Sequence, residues 1–214
     1  MKKLLIIIPF LFIAIDSMGQ SKYIGIQAGV NLSNLIPFSN ITRTTYPIMG
    51  FTGGLKYEKQ YSSKHSFGVD LLYNQQGYAT DTPAGYIGYN DYTKYKYHYL
   101  SLPIKYGYIF GDQVKFIPKI GIQPSILLSA VEFGPVYSEP TRRFVEGSKD
   151  ITDETEVFNI GGVIEFEINV PHNNLEYFAL FSNRFHFTYP SGFVDFSFSL
   201  GVKYNISTAT DITY

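Results

Sequence analysis

The stretch FVDFSFSLGVKYNI, residues 193–206, alternates without interruption from Val194 onward. Val194, Phe196, Phe198, Leu200, Val202, Tyr204 and Ile206 fall on one phase, and Asp195, Ser197, Ser199, Gly201, Lys203 and Asn205 on the other. A strand sends successive side chains to opposite faces, so this segment has one apolar face and one wet face. The same beat returns in about eight segments: Tyr23–Leu32, Pro47–Gln60, His65–Gln76, Lys94–Phe110, Val114–Ser129, Thr155–Val170, Leu175–Phe187 and Phe193–Ile206. No helical apolar stripe competes with it. Tight turns at Tyr61–Lys64, Gly111–Gln113 and Pro171–Asn174 alternate with long polar connections at Ser33–Tyr46, Gly77–Thr93 and Ala130–Glu154; Thr188–Gly192 is the one short connection on the long side. Strands of this length, joined by short and long connections in turn, predict an all-β fold: an eight-stranded antiparallel up-and-down transmembrane β-barrel of the outer membrane. Its long loops would face outward and both termini the periplasm.

The cost of a charge against lipid, about 2–4 kcal/mol for Lys or Arg at the midplane, sets the expected phase. Ile24, Ile26, Ala28, Val30 and Leu32 face lipid, as do Phe67, Val69, Leu71 and Tyr73 opposite Asp70, Asn74 and Gln76. Leu100, Leu102, Ile104 and Tyr106 do so opposite Lys105; Ile120, Ile122, Ile126 and Leu128 opposite Lys119; Ile160, Ile164, Phe166 and Ile168 opposite Glu165 and Glu167. In Leu175–Phe187 the phase stays open, because Phe178 and Leu180 share the side of Glu176 and Arg184. A soluble lipocalin-like barrel is the rival, with the apolar phase inward. However, an eight-stranded interior is only just wide enough for side chains or one small ligand, and some five bulky residues from every strand would not fit there. Pro103, Pro118 and Pro124 fall inside expected strands, where the missing N–H predicts bulges or near-rim positions.

Residues 1–19 read as a signal peptide preceding a barrel domain over 20–214. Lys2 and Lys3 form the positive end, Leu4–Ile15 an apolar core too short to span a bilayer, and Ser17-Met18-Gly19 the cleavage site. Loss of Lys2, Lys3 and Asp16 takes 17 basic and 18 acidic residues to 15 and 17, a net charge of −2. That balance argues against a nucleic-acid partner, which a basic surplus would attract. With 0 cysteines, lipoprotein anchoring through Cys, disulfides and thiolate metal sites are excluded. The 19 Tyr and 18 Phe suit aromatic girdles at two membrane interfaces.

Three segments carry a family likeness: Tyr23-Ile-Gly-Ile-Gln-Ala-Gly-Val-Asn-Leu-Ser33, Tyr99-Leu-Ser-Leu-Pro-Ile-Lys-Tyr106 and Ser199-Leu-Gly-Val-Lys-Tyr204. They resemble the outer-membrane β-barrel (porin-like, PorT-like) family of Bacteroidetes-type bacteria, over nearly the whole mature chain. The resemblance implies an eight-stranded outer-membrane barrel and makes Pro103 an ordinary feature of it. It carries over no catalytic residue. Members commonly end on an aromatic residue that closes the last strand; here Ser207–Tyr214 runs on past Ile206, leaving Tyr204 and Tyr214 as rival assembly signals.

Chemistry is sparse. His65, His98, His172 and His186 are isolated, without metal-ligand spacing. His186 could sit in the lumen near the outer rim, where an acyl-transfer or hydrolase histidine would be placed, but no Ser or Asp partner follows from spacing. No catalytic, cofactor-binding or metal site is expected. The acidic run Asp150, Asp153, Glu154 and Glu156 lacks calcium-loop spacing and reads as a solvated loop. Tyr78, Tyr86, Tyr89, Tyr92 and Tyr95 are contact candidates, Tyr92 and Tyr95 being read as outer girdle. The inward phase holds Lys56, Lys105, Lys119, Arg184 and Lys203 against Glu58, Asp70, Glu165, Glu167 and Asp195. Balanced charges in a narrow lumen should pair and plug it. The expectation is a monomeric, non-enzymatic structural or interaction protein in contact with outer-membrane lipid. An unnamed extracellular or periplasmic protein partner remains open. The alternatives are a PorT-like secretion accessory, a small-solute channel and a soluble lipocalin-like binder.

Overall fold

The computed structural model describes residues 21–37, 44–81, 92–138, 143–186 and 191–207. The expected leader, residues 1–19, and Tyr214 lie outside them. Ten strands form one antiparallel sheet: β1 (Ser21–Pro37), β2 (Thr45–Gln60), β3 (His65–Asp81), β4 (Tyr92–Ser101), β5 (Ile104–Tyr108), β6 (Lys115–Ser138), β7 (Arg143–Asp150), β8 (Phe158–His172), β9 (Leu175–His186) and β10 (Ser191–Asn205). Pairing runs β2-β1-β10-β9-β8-β6-β4-β3-β5, and β2 also pairs β3, so the path returns on itself as a barrel-like sheet.

The expected eight-stranded barrel is therefore corrected to ten strands, for two physical reasons. The segment Lys94–Phe110 is split. Both halves run between β3 and β6, but Leu102 and Pro103 interrupt the ladder. The Leu102 N–H donates to the Pro124 carbonyl at 2.9 Å and the Asp70 N–H to the Pro103 carbonyl at 3.0 Å. Neither proline has an N–H to return, so two of the three strand prolines share one gap. Pro118 pairs with Phe166 in the β6–β8 ladder, just beyond the last β5–β6 pair, Gly107 with Lys119. The second reason is β7. Ala130–Glu154, read as a loop, continues β6 to Ser138 and folds back as a strand that pairs β6 alone. Its many polar residues, with Gly134 and Pro135 inside it, broke the alternation that marks the other segments.

The turn end is tight as expected. Gly111 (φ 83°) and Asn173 (φ 54°) supply the left-handed residues of two turns. Asn173→Val should cost about 1–2 kcal/mol of folding stability and Asn173→Gly almost nothing, read by urea titration in lipid vesicles. Equal stability of the two variants would contradict the turn geometry.

The phases are clear. Ile24, Ile26, Val30, Leu71, Ile120, Ile122, Ile164, Phe166, Phe198 and Leu200 are exposed on the outer face of the sheet, while Asn31, Asp70, Asn74, Lys119, Glu165, Glu167, Ser199 and Lys203 are buried inside. A soluble lipocalin would show the reverse. The open phase of β9 is settled by its charges: Glu176, Phe178, Leu180, Ser182 and Arg184 are all buried inside. Phe178 fits there because Gly201 lies directly across from it, and a Cβ on Gly201 would run into the Phe178 ring. Glycine elsewhere makes room for lysine stems. A Cβ on Gly107 would stand 2.9 Å from Lys119 Cγ and 2.8 Å from Ser66 Oγ.

Candidate functional site

The interior is built in three levels. Nearest the turn end, alternation on seven strands aims acidic and basic side chains at one another. Lys105 meets Asp70 at 2.5 Å and Glu165 at 2.7 Å; Lys56 reaches Asp70 at 3.8 Å and Glu167 at 2.8 Å. Glu167 also takes Lys119 at 2.7 Å and Lys203 at 2.8 Å, while Glu58 takes Lys119 at 2.5 Å and Lys203 at 3.3 Å. Lys203 continues to Glu176 at 3.4 Å, and Glu176 to Lys115 at 2.5 Å. These ten groups form one network across β2, β3, β5, β6, β8, β9 and β10. The Lys203 ammonium lies 5.4 Å from the Tyr23 ring centroid and that of Lys56 lies 4.9 Å over Phe178, so aromatic faces cover what carboxylates do not. All ten charges expected inside are there; Lys115 and Glu176 complete the balance. Glu176 was hidden by the mixed phase of β9, and Lys115 by its place beside the Gly111–Gln113 turn.

The middle level is amide-rich. Asp195 accepts from Gln76 at 3.0 Å, Asn31 at 3.3 Å and Arg184 at 3.4 Å, and Arg184 also donates to Asn74 at 3.1 Å. His186 does lie inside, its Nε2 2.9 Å from the Gln76 amide and 3.3 Å from that of Gln123. Gln76 donates to Asp195 as well as lying against the imidazole, and among the described residues no carboxylate is hydrogen-bonded to His186. Among the described residues no group of three or more His, Cys, Asp or Glu could hold a metal ion.

The level nearest the long connections is apolar. Leu35, Tyr97, Tyr99, Leu127, Ala130, Ile151 and Phe193 cluster, with Tyr78 and Tyr95 packed against them. Tyr78 and Tyr95 stack at 4.9 Å, and Tyr97 meets Phe193 edge-on at 5.2 Å. Tyr95 thus belongs inside and not to the lipid girdle. Counting back by twos from Tyr99, which opposes the lipid phase of Leu100, would have shown it. Tyr86 and Tyr89 lie outside the described residues.

On the outer surface, Tyr73 is joined to His98 and Tyr106 to His65, each at 2.5 Å. These pairs place two of the isolated histidines in aromatic settings at opposite ends of the apolar belt. His172 is exposed at a turn. Beyond the belt, Asp150 accepts from the Thr152 hydroxyl at 2.6 Å and its N–H at 2.8 Å, which holds its carboxyl below the ordinary aspartate range.

A profile of the outer membrane protein beta-barrel domain family matches residues 18–201. The chain belongs to that family. Its members' name describes both the barrel-like sheet and the place where the apolar outer face makes sense, and the protein is located in the outer membrane. No curated protein matches the sequence. Among solved structures, the outer membrane β-barrel protein is similar to OprG from Pseudomonas aeruginosa, at TM-score 0.51 and 7% identity over 90% of this chain and 99% of that one. It is also similar to Ail, the attachment invasion locus protein of Yersinia pestis (TM-score 0.46, 12% identity, 86% of this chain and 100% of that one). The neisserial surface protein NspA is a third such structure (TM-score 0.45, 12% identity, 85% and 96%). These likenesses concern the fold. Nothing in them singles out the PorT-like branch or the Bacteroidetes-type bacteria that the three sequence segments suggested.

Proposed function

We propose that this outer membrane β-barrel protein is a non-catalytic structural or interaction protein whose interior is filled and whose long connections face outward to meet a partner. The ten-membered ion network supports the filled interior most strongly. Each carboxylate in it bridges at least one lysine from another strand, and the apolar cluster of Leu35, Tyr97, Tyr99 and Phe193 stands above it. A buried charge that loses its partner is left with an uncompensated desolvation cost, so opening a water column would mean breaking many pairs together. A selective channel would more naturally carry one dominant sign. Residues 1–19 act in this proposal as the export leader. The protein works as a monomer, since every strand but β7 has neighbours on both sides.

Planar-bilayer recording of the purified protein tests the filled interior. The expected trace has no steady single-channel current, or only rare, small openings. Long-lived, reproducible conductance steps from wild type would overturn the proposal and favour a small-solute channel.

A further inference from the structure

The outward phase of β4 breaks its own rule at the loop end. Lys94 and Lys96 lie on the face that continues down to His98 and Leu100, so two lysines share one side of a strand with their Cα atoms only about 6.5 Å apart. On β8, β9 and β10 the same phase at that end carries Phe158, Phe185 and Val194. The two lysines stand in a groove of about 480 Å³ whose other walls include Tyr46, Ile48, Met49 and Ala79. A register shift between Pro47 and Thr52 makes the groove: four β2 residues, 48–51, face three of β3, 75–77. Met49, on the displaced stretch, is 70% exposed. Lys96 has its ammonium 5.2 Å over the Phe133 ring, and among the described residues neither lysine is ion-paired with a carboxylate.

Like charges on one face repel, and more so where lipid lowers the dielectric. An anion between them reverses the sign of that interaction. The groove offers such an anion a thioether and aliphatic wall, and it sits just beyond the aromatic pair Tyr73–His98 that marks the edge of the apolar belt. A group that is anionic at the headgroup level and apolar below it fits both features. We infer that Lys94 and Lys96 bind the phosphorylated headgroup of a membrane lipid, whose upper acyl segment lies along Ile48 and Met49. Basic groups near an anionic surface are each worth about fivefold in affinity, so the pair together should matter by tenfold or more.

The test uses the full-length protein in detergent, titrated with dioleoyl phosphatidic acid, with dioleoylglycerol and with inorganic phosphate, bound lipid being counted by native mass spectrometry. Wild type should retain phosphatidic acid at least tenfold better than dioleoylglycerol. The variant K94Q/K96Q should lose that preference, and K94R/K96R should keep it. Met49→Glu, which puts a carboxylate in the groove and leaves both lysines in place, should also abolish it. Equal retention of the two lipids by wild type, or an undiminished preference in both K94Q/K96Q and Met49→Glu, would overturn the assignment. Displacement of the lipid by equimolar inorganic phosphate would reveal a free-anion site and overturn it too.

Discussion

Replacing Glu167 by Ala is expected to destabilise the folded protein by about 3–5 kcal/mol, among the largest effects any single substitution should have here. Glu167 is fully buried and holds three ammoniums, those of Lys56, Lys119 and Lys203, at 2.8, 2.7 and 2.8 Å. Truncation leaves Lys56 with Asp70 at 3.8 Å and Lys203 with Glu58 and Glu176 beyond 3 Å, while Lys119 keeps Glu58 at 2.5 Å. The cost comes less from a lost attraction than from positive charge stranded out of water. Glu154→Ala offers the contrast. Its pair with Lys149, at 2.7 Å, is solvent-exposed on both sides and should be worth between nothing and about 1 kcal/mol. Urea unfolding in lipid vesicles compares the two, and a loss under 1 kcal/mol for Glu167→Ala would mean that water reaches the network freely.

The second large effect is depth-dependent and lies on the other face. Phe198 is 50% exposed at the middle of β10, and Phe198→Arg should cost about 2–4 kcal/mol by placing a cation against the hydrocarbon core. Tyr204→Arg, on the same face near the turn end, should cost about 0–1 kcal/mol because the headgroups lie within reach. Ser199→Arg carries no lipid penalty, but it would crowd Gly29, where even an added Cβ would stand 2.3 Å from Ser199 Oγ. The difference between Phe198→Arg and Tyr204→Arg is therefore the cleaner comparison. Equal losses at the two positions would contradict a membrane gradient along β10.

Most of this arrangement was legible in the residues because burial in a membrane sheet is read twice, once by lipid and once by the interior. A period of two then leaves little freedom: ten charges on one phase of seven segments had to meet inside, and the structure pairs them. The strand count was not legible. Whether Leu102-Pro103 bends a strand or divides it depends on what stands across the ladder, and Pro124 does so from a distant segment. The β6–β7 hairpin escaped because a strand that leaves the apolar belt needs no alternation to be stable. Phe178 was ambiguous for a related reason, since its inward place depends on Gly201, a residue of the next strand. Nor did the sequence separate Tyr95 from the lipid girdle until the phase was counted from Leu100. The groove beside Lys94 and Lys96 follows from a register shift that no single segment displays.

The central claim is that the even-numbered side chains of β10 face lipid and the odd-numbered ones a filled interior. The chain contains 0 cysteines, so single cysteines can be placed at each position from 194 to 204 and spin-labelled in vesicles without background. Relaxation by oxygen, which partitions into hydrocarbon, should rise at Val194, Phe196, Phe198, Leu200, Val202 and Tyr204 and fall at every residue between them. Relaxation by a water-soluble nickel chelate should stay low at the odd positions of the strand centre. The opposite phase, or high nickel accessibility at Ser197 and Ser199, would contradict the account.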